Sequence, residues 1–91
     1  MKLYLVHAGY YNREIMGGLY EQHTNYFVVA ENIHEAKQKA QKNMVYSKKK
    51  MHIDGIQEIN AVDGYQIKLE ADNSENDAVN YSYDDVKNLA E

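Results

Sequence analysis

Two short segments of this 91-residue chain each place a histidine and a carboxylate two positions apart. The first segment is Glu21-x-His23 and the second is His52-x-Asp54. Side chains two positions apart in a strand point to the same face, so each pair presents both groups together. Imidazole and carboxylate groups suit Zn, Fe or Mn, and they also suit proton transfer. The four residues are therefore a candidate ligand- or metal-binding set, and the sequence leaves open whether the two pairs meet in space.

A purely structural interpretation competes with this metal site. The string H-x-D has no fixed metal-site spacing of the kind found in H-E-x-x-H, and such groups at strand ends commonly form local hydrogen bonds. His7 has Leu5 and Gly9 as same-face neighbours, which favours a half-buried, hydrogen-bonded imidazole. We include His7 as a fifth candidate ligand, because its presence beside His23 and His52 would strengthen the metal interpretation.

Other cofactor and catalytic chemistry has little support in the sequence. The chain has no cysteine, which excludes disulfides and thiolate metal sites. Gly17-Gly18 does not match a phosphate-binding loop, and no nucleophile motif is present. We therefore predict no catalytic residue and no organic cofactor, leave a divalent metal open, and lean against an enzyme.

Charge is distributed unevenly along the chain. Six lysines and no acids occur in residues 36–50, whereas ten acids and two lysines occur in residues 54–91. The net charge of −4 and the single arginine argue against a nucleic-acid partner. The basic and acidic parts are either solvated faces or complementary patches that favour self-association.

Hydrophobic periodicity predicts an α+β fold. Residues 2–10 form a first strand with apolar side chains on both faces, and residues 23–30 form a second. Asn32 and Glu35 suit the start of a helix that continues to about Tyr46, with an apolar stripe of Ile33, Ala36, Ala40 and Met44. Residues 51–62 form an irregular third strand with a bulge near Gly55.

The end of the chain is less regular. Asp63-Gly64 predicts a tight hairpin turn, followed by a fourth strand over residues 65–69. In the acidic tail, residues 71–91, the tyrosines suit an edge strand, and Ser82 with Asp85 suits the cap of a short helix. The order β-β-α-β-β predicts one domain over residues 1–91: an antiparallel sheet of about four strands with one main helix across it.

Several motifs occur together in a fixed order: Gly17-Gly18, Glu21-x-His23 leading into Phe27-Val28-Val29, His52-x-Asp54, and Val62-Asp63-Gly64-Tyr65. Taken together, they resemble the bacterial family DUF1543 from about residue 3 to residue 69. The family has no assigned activity, so the resemblance implies none for this chain. Members have one or two copies of the domain, so a single-copy chain is expected to form a homodimer. Thr24 follows His23 where the family pattern has an acid, and a lysine run precedes His52.

Two function classes follow from these observations. The first is a non-enzymatic interaction or self-association module that uses a tyrosine-rich loop and an open sheet, since the chain has nine tyrosines. The second is a metal- or small-ligand-binding protein, with an enzyme included, built on the His-carboxylate pairs. The apolar segment at residues 1–10 is too short and too polar to be a signal peptide or a membrane span, so a cytoplasmic location is expected.

Overall fold

The computed structural model describes residues 1–43, 51–73 and 78–90. Its elements, in chain order, are β1 (Lys2–Tyr11), a 3-10 helix (Met16–Gly18), β2 (Glu21–Ala30), α1 (Ile33–Lys42), β3 (His52–Ile59), β4 (Ala61–Val62), β5 (Tyr65–Gln66) and α2 (Tyr83–Lys87). The α+β class and the antiparallel sheet are as the sequence predicts.

The main sheet has the strand order β2-β1-β3, with both pairings antiparallel. The central place of β1 explains why its apolar side chains occur on both faces. Tyr4, Val6 and Ala8 are buried on one face. On the same side, α1 contributes Ala36 and Ala40, and their small side chains allow close approach of helix to sheet. The opposite face of β1 has no helix over it among the described residues.

Helix α1 begins where the sequence predicts. The Asn32 side chain accepts a hydrogen bond from the backbone N–H of Glu35 at 2.9 Å, which satisfies one free donor of the first turn. Of the predicted apolar stripe, Ala36 and Ala40 are buried, whereas Ile33, the first residue of the helix, is 59% exposed. The predicted continuation through Met44 and Tyr46 lies outside the described residues. No helix in the described ranges is long and apolar enough to cross a membrane.

The predicted tight turn is present, but the predicted fourth strand is too long. Asp63 and Gly64 both have positive φ, 53° and 82°, as a two-residue hairpin turn requires. The hairpin pairs β4 with β5 only and forms a separate two-stranded sheet. Beyond β5, the returning chain forms one more hydrogen bond to this segment, from Ile67 N to Asn60 O. The count of four strands in one sheet is therefore only approximate.

The tail contains a helix rather than an edge strand in its described part. Ser82 and Asp85 form a reciprocal capping box at the start of α2. Each side chain satisfies a backbone N–H of the other residue, which makes so short a helix possible. Of the two alternatives for this tail, the helix is the one present in residues 79–90.

An ion-pair network at the edge of the core predicts a pH dependence of stability. Glu58 contacts the Lys2 amine at 3.3 Å and accepts a hydrogen bond from the Tyr4 hydroxyl at 3.3 Å. Hydrogen bonds from Asn60 and Lys2 hold the pKa of Glu58 below its ordinary value. A pKa lower in the native than in the unfolded state stabilises the fold above the unfolded-state pKa, and this contribution disappears as pH falls through the native pKa.

Urea unfolding of wild type and Glu58→Gln tests this dependence. We expect the wild type to be the more stable protein at pH 7 and the difference to shrink at acidic pH, because protonation of Glu58 then removes its charge. A difference that is equal at both pH values would show that the charge of Glu58 is not responsible.

Candidate metal centre on the open sheet face

The two His-carboxylate pairs meet at one end of the main sheet. In the register of the strands, Gly9 on central β1 lies opposite His23 on β2 and opposite His52 on β3. Directly opposed residues in antiparallel strands point to the same face, so the two imidazoles flank Gly9. This face is the one that α1 does not cover.

A β-bulge in β3 brings Asp54 to the same face. From Ile59 to Gly55, β3 pairs with β1 in one register, and that register shifts between His7 and Ala8. Continued without the shift, the register would place Asp54 opposite Ala8 and turn its side chain toward the buried face. The extra residue instead leaves Asp54 on the open face with His52. The bulge predicted near Gly55 is confirmed, and it builds the site.

Four side chains form a closed ring of contacts on this face. Glu21 Oε1 lies 2.9 Å from His52 Nε2 and 3.3 Å from His23 Nε2. Asp54 completes the ring, with Oδ1 3.1 Å from His52 Nε2 and Oδ2 3.3 Å from His23 Nε2. Carboxylates and imidazoles therefore alternate around the ring. We call these four residues, Glu21, His23, His52 and Asp54, the ring cluster.

The ring cluster has more acceptors than protons to satisfy them. Each histidine Nε2 holds at most one proton, yet each faces one oxygen of Glu21 and one oxygen of Asp54. A hydrogen bond from each imidazole therefore satisfies only one of its two carboxylate neighbours at a time. A divalent cation, by contrast, accepts electron pairs from all four groups together.

Gly9 supplies the room for the ring cluster. A Cβ on Gly9 would lie 2.8 Å from Asp54 Oδ2, 2.8 Å from His52 Nε2, and closer still to Glu21 Oε1. Real Cβ atoms essentially never come so close to other heavy atoms. The three polar groups thus occupy the space that any other residue on β1 would fill. A glycine inside a strand often marks such a close approach.

His7 lies beside the ring cluster on the same face of β1. Its ring stacks on the His23 ring, with centroids 4.9 Å apart and an interplanar angle of 10°. Its Nδ1 is 2.7 Å from Asn25 Oδ1. An amide oxygen only accepts, so Nδ1 donates its proton, and in the neutral ring Nε2 then carries the free electron pair. The half-buried environment expected for His7 is what the structure shows.

The structure thus places all five candidate residues on one face, with side chains accessible to solvent. The four ring side chains are 31–51% exposed. Sequence reasoning missed two contributors, Gly9 and Asn25. Gly9 gave a signal as a glycine within an apolar strand, whereas Asn25 gave none, because its role depends on the pairing of β1 with β2.

A family model described as Domain of Unknown Function (DUF1543) matches residues 18–69, which is more than half of the chain. The chain belongs to this family. The DUF1543 match includes the whole ring cluster, whereas β1, with His7 and Gly9, lies before it. No curated protein and no solved structure matches the chain. Because the DUF1543 description names no activity, functional inference rests on the geometry of the site.

Proposed function

We propose that this DUF1543 protein binds a divalent transition-metal ion through the ring cluster. The observation that carries the proposal is the closed ring of four contacts of 2.9–3.3 Å among two imidazoles and two carboxylates. Tetrahedral ligands at bond lengths of about 2.0–2.1 Å are themselves about 3.3 Å apart, and each of the four contacts around the ring has about that length.

The donor types indicate which cations suit the site. Two nitrogen and two oxygen donors match Zn, Fe or Mn better than Mg, which prefers oxygen ligands and retains its water. The two carboxylates also neutralise the charge of one divalent ion. Partial exposure of the ligands gives the ion an entry path from solvent and leaves room for a water or a small ligand on it.

Thermal denaturation with added metal salts tests the proposal. Zinc at 100 times its dissociation constant adds about 2.7 kcal/mol of stability, which for a domain of this size raises the denaturation temperature by on the order of 10 °C. We expect Zn and Mn to raise it and Mg at the same concentration to leave it unchanged. Equal shifts with all three ions, or no shift with any, would refute a site made of mixed nitrogen and oxygen donors.

Self-association is a second candidate function, supported by exposed apolar and aromatic side chains elsewhere on the surface. Phe27 and Val29 on β2 are 66% and 39% exposed, and Tyr11 and Tyr20 are more than half exposed. A second copy of the chain would bury this apolar surface, so we retain the homodimer as a proposal. A purely monomeric protein in sedimentation equilibrium at high micromolar concentration would exclude it.

The cellular setting is also part of the proposal. The absence of cysteine suits a reducing compartment, so we place the protein in the bacterial cytoplasm. Metal binding does not require catalysis, and we assign no reaction to the site.

A further inference from the structure

The candidate ligands around the ring cluster divide into two groups. Glu21, His52 and Asp54 form one group whose ligand atoms all lie within 4.8 Å of one another. His7, His23 and Asp54 form a second group under the same limit. Each group offers three protein ligands, the number that an open metal site commonly uses. Asp54 is the only residue that the two groups share.

The two oxygens of Asp54 face different groups. Oδ1 lies 3.1 Å from His52 Nε2, whereas Oδ2 lies 3.3 Å from His23 Nε2. Asp54 thus directs one oxygen toward an imidazole of each group, as a carboxylate that bridges two metal ions does. Asp54 lies in the bulge of β3, between the two registers in which β3 pairs with β1.

The hydrogen bond from His7 to Asn25 is of the kind that orients metal-ligating histidines. His7 Nδ1 donates to Asn25 at 2.7 Å, which fixes the ring orientation and leaves Nε2 available. The near-parallel stack on His23 places the two imidazole rings of the second group 4.9 Å apart.

From these contacts we infer that the site binds two divalent cations, one in each group, with Asp54 as the bridging carboxylate. This inference rests on the proposed metal-binding function and extends it to His7 and to a defined stoichiometry. Sites of this kind hold their ions about 3.5–4 Å apart. Two divalent ions bring four positive charges, and the carboxylates of Glu21 and Asp54 neutralise two of them. Hydroxide or another oxygen anion from solvent balances the remaining positive charge.

The surface beside His7 leaves space for such an anion. A shallow depression opens on the sheet there, and its lining residues are Leu5, His7, Asn25, Gly55, Ile56 and Gln57. It exists because Gly55, directly opposite His7, has no side chain to fill it. A ligand lying in this depression would reach the ion of the His7 group first.

Native mass spectrometry with zinc tests the stoichiometry. The protein is prepared as His34→Ala, so that an exposed histidine on α1 does not add a stray site. We expect two bound zinc ions in this background and one after the further change His7→Phe, which keeps an aromatic ring against His23 but removes the nitrogen donors. Asn25→Ala, which keeps His7 but frees its ring, should lower the affinity for the second ion by about tenfold or more.

The outcomes separate this inference from the proposed function. One zinc ion in the His34→Ala protein would overturn the two-ion site and leave single-ion binding intact, whereas none would overturn both. Two ions in both the His34→Ala and the His7→Phe proteins would show that His7 is not a ligand. Circular dichroism of each zinc-free variant identifies any loss that comes from unfolding.

Discussion

Replacement of both His23 and His52 by alanine is expected to abolish measurable zinc binding. These imidazoles supply both nitrogen donors of the ring cluster, and without them two carboxylates remain on an exposed surface. Loss of residues that merely support metal ligands costs about 10–100-fold in affinity, so loss of a ligand itself should cost at least that much. Each single change should weaken binding by about 100-fold or more, as measured by isothermal titration calorimetry in chelator-free buffer.

His34→Ala is the matched control for these variants. His34 is a histidine of the same chain, exposed near the start of α1 rather than on the open sheet face. Its removal should leave the zinc affinity unchanged. If His34→Ala weakens zinc binding as much as His23→Ala, or if the double variant binds zinc like the wild type, the ring cluster is not the metal site.

Gly9→Ala is expected to weaken zinc binding by about tenfold or more while leaving the zinc-free protein folded. The new methyl group would collide with Glu21, His52 and Asp54, and the flexible ends of these side chains would move aside to accommodate it. Alanine in place of glycine also restricts the unfolded chain, which adds about 0.4–1 kcal/mol of stability where the backbone is compatible. The change therefore separates the geometry of the site from the stability of the fold.

Gly55→Ala provides the same substitution a short distance away. Gly55 lies on β3 opposite His7, and its φ is outside the left-handed region. Within the described part of the chain, no heavy atom lies within 4 Å of a Cβ on Gly55. We expect Gly55→Ala to bind zinc with an affinity within about threefold of the wild type, since no ligand needs to move. Equal losses for the two glycine variants would indicate a general effect on the sheet instead of a clash at Gly9.

The features of the site that were predictable from the sequence are those set by local spacing. Two-residue spacing within a strand places Glu21 with His23 and His52 with Asp54 on common faces. The irregular apolar pattern of β3 predicted the bulge, because isoleucines at 53, 56 and 59 do not keep a period of two. The contact between the two pairs depends on the non-local strand order β2-β1-β3. In this order only β1 separates the two pairs, and the residue of β1 between them is Gly9.

The fold prediction failed where local patterns had no packing partner. The alternating Tyr65, Ile67 and Leu69 have the period of a strand, but Tyr65 is 77% exposed and the hairpin lies outside the main sheet. Propensity alone does not place a strand in a sheet when little apolar surface becomes buried there. In contrast, Ser82 with Asp85 specified α2 through hydrogen bonds that need no tertiary partner.

The most direct test of the metal centre is NMR of the imidazole nitrogens during a zinc titration. The chain has four histidines, so each ring can be followed separately, and His34 serves as an internal reference. The account predicts that His23 and His52 change their ring nitrogen shifts on zinc addition, that His7 changes with them as the second ion binds, and that His34 does not change. Unchanged spectra for His23 and His52 at saturating zinc would contradict it.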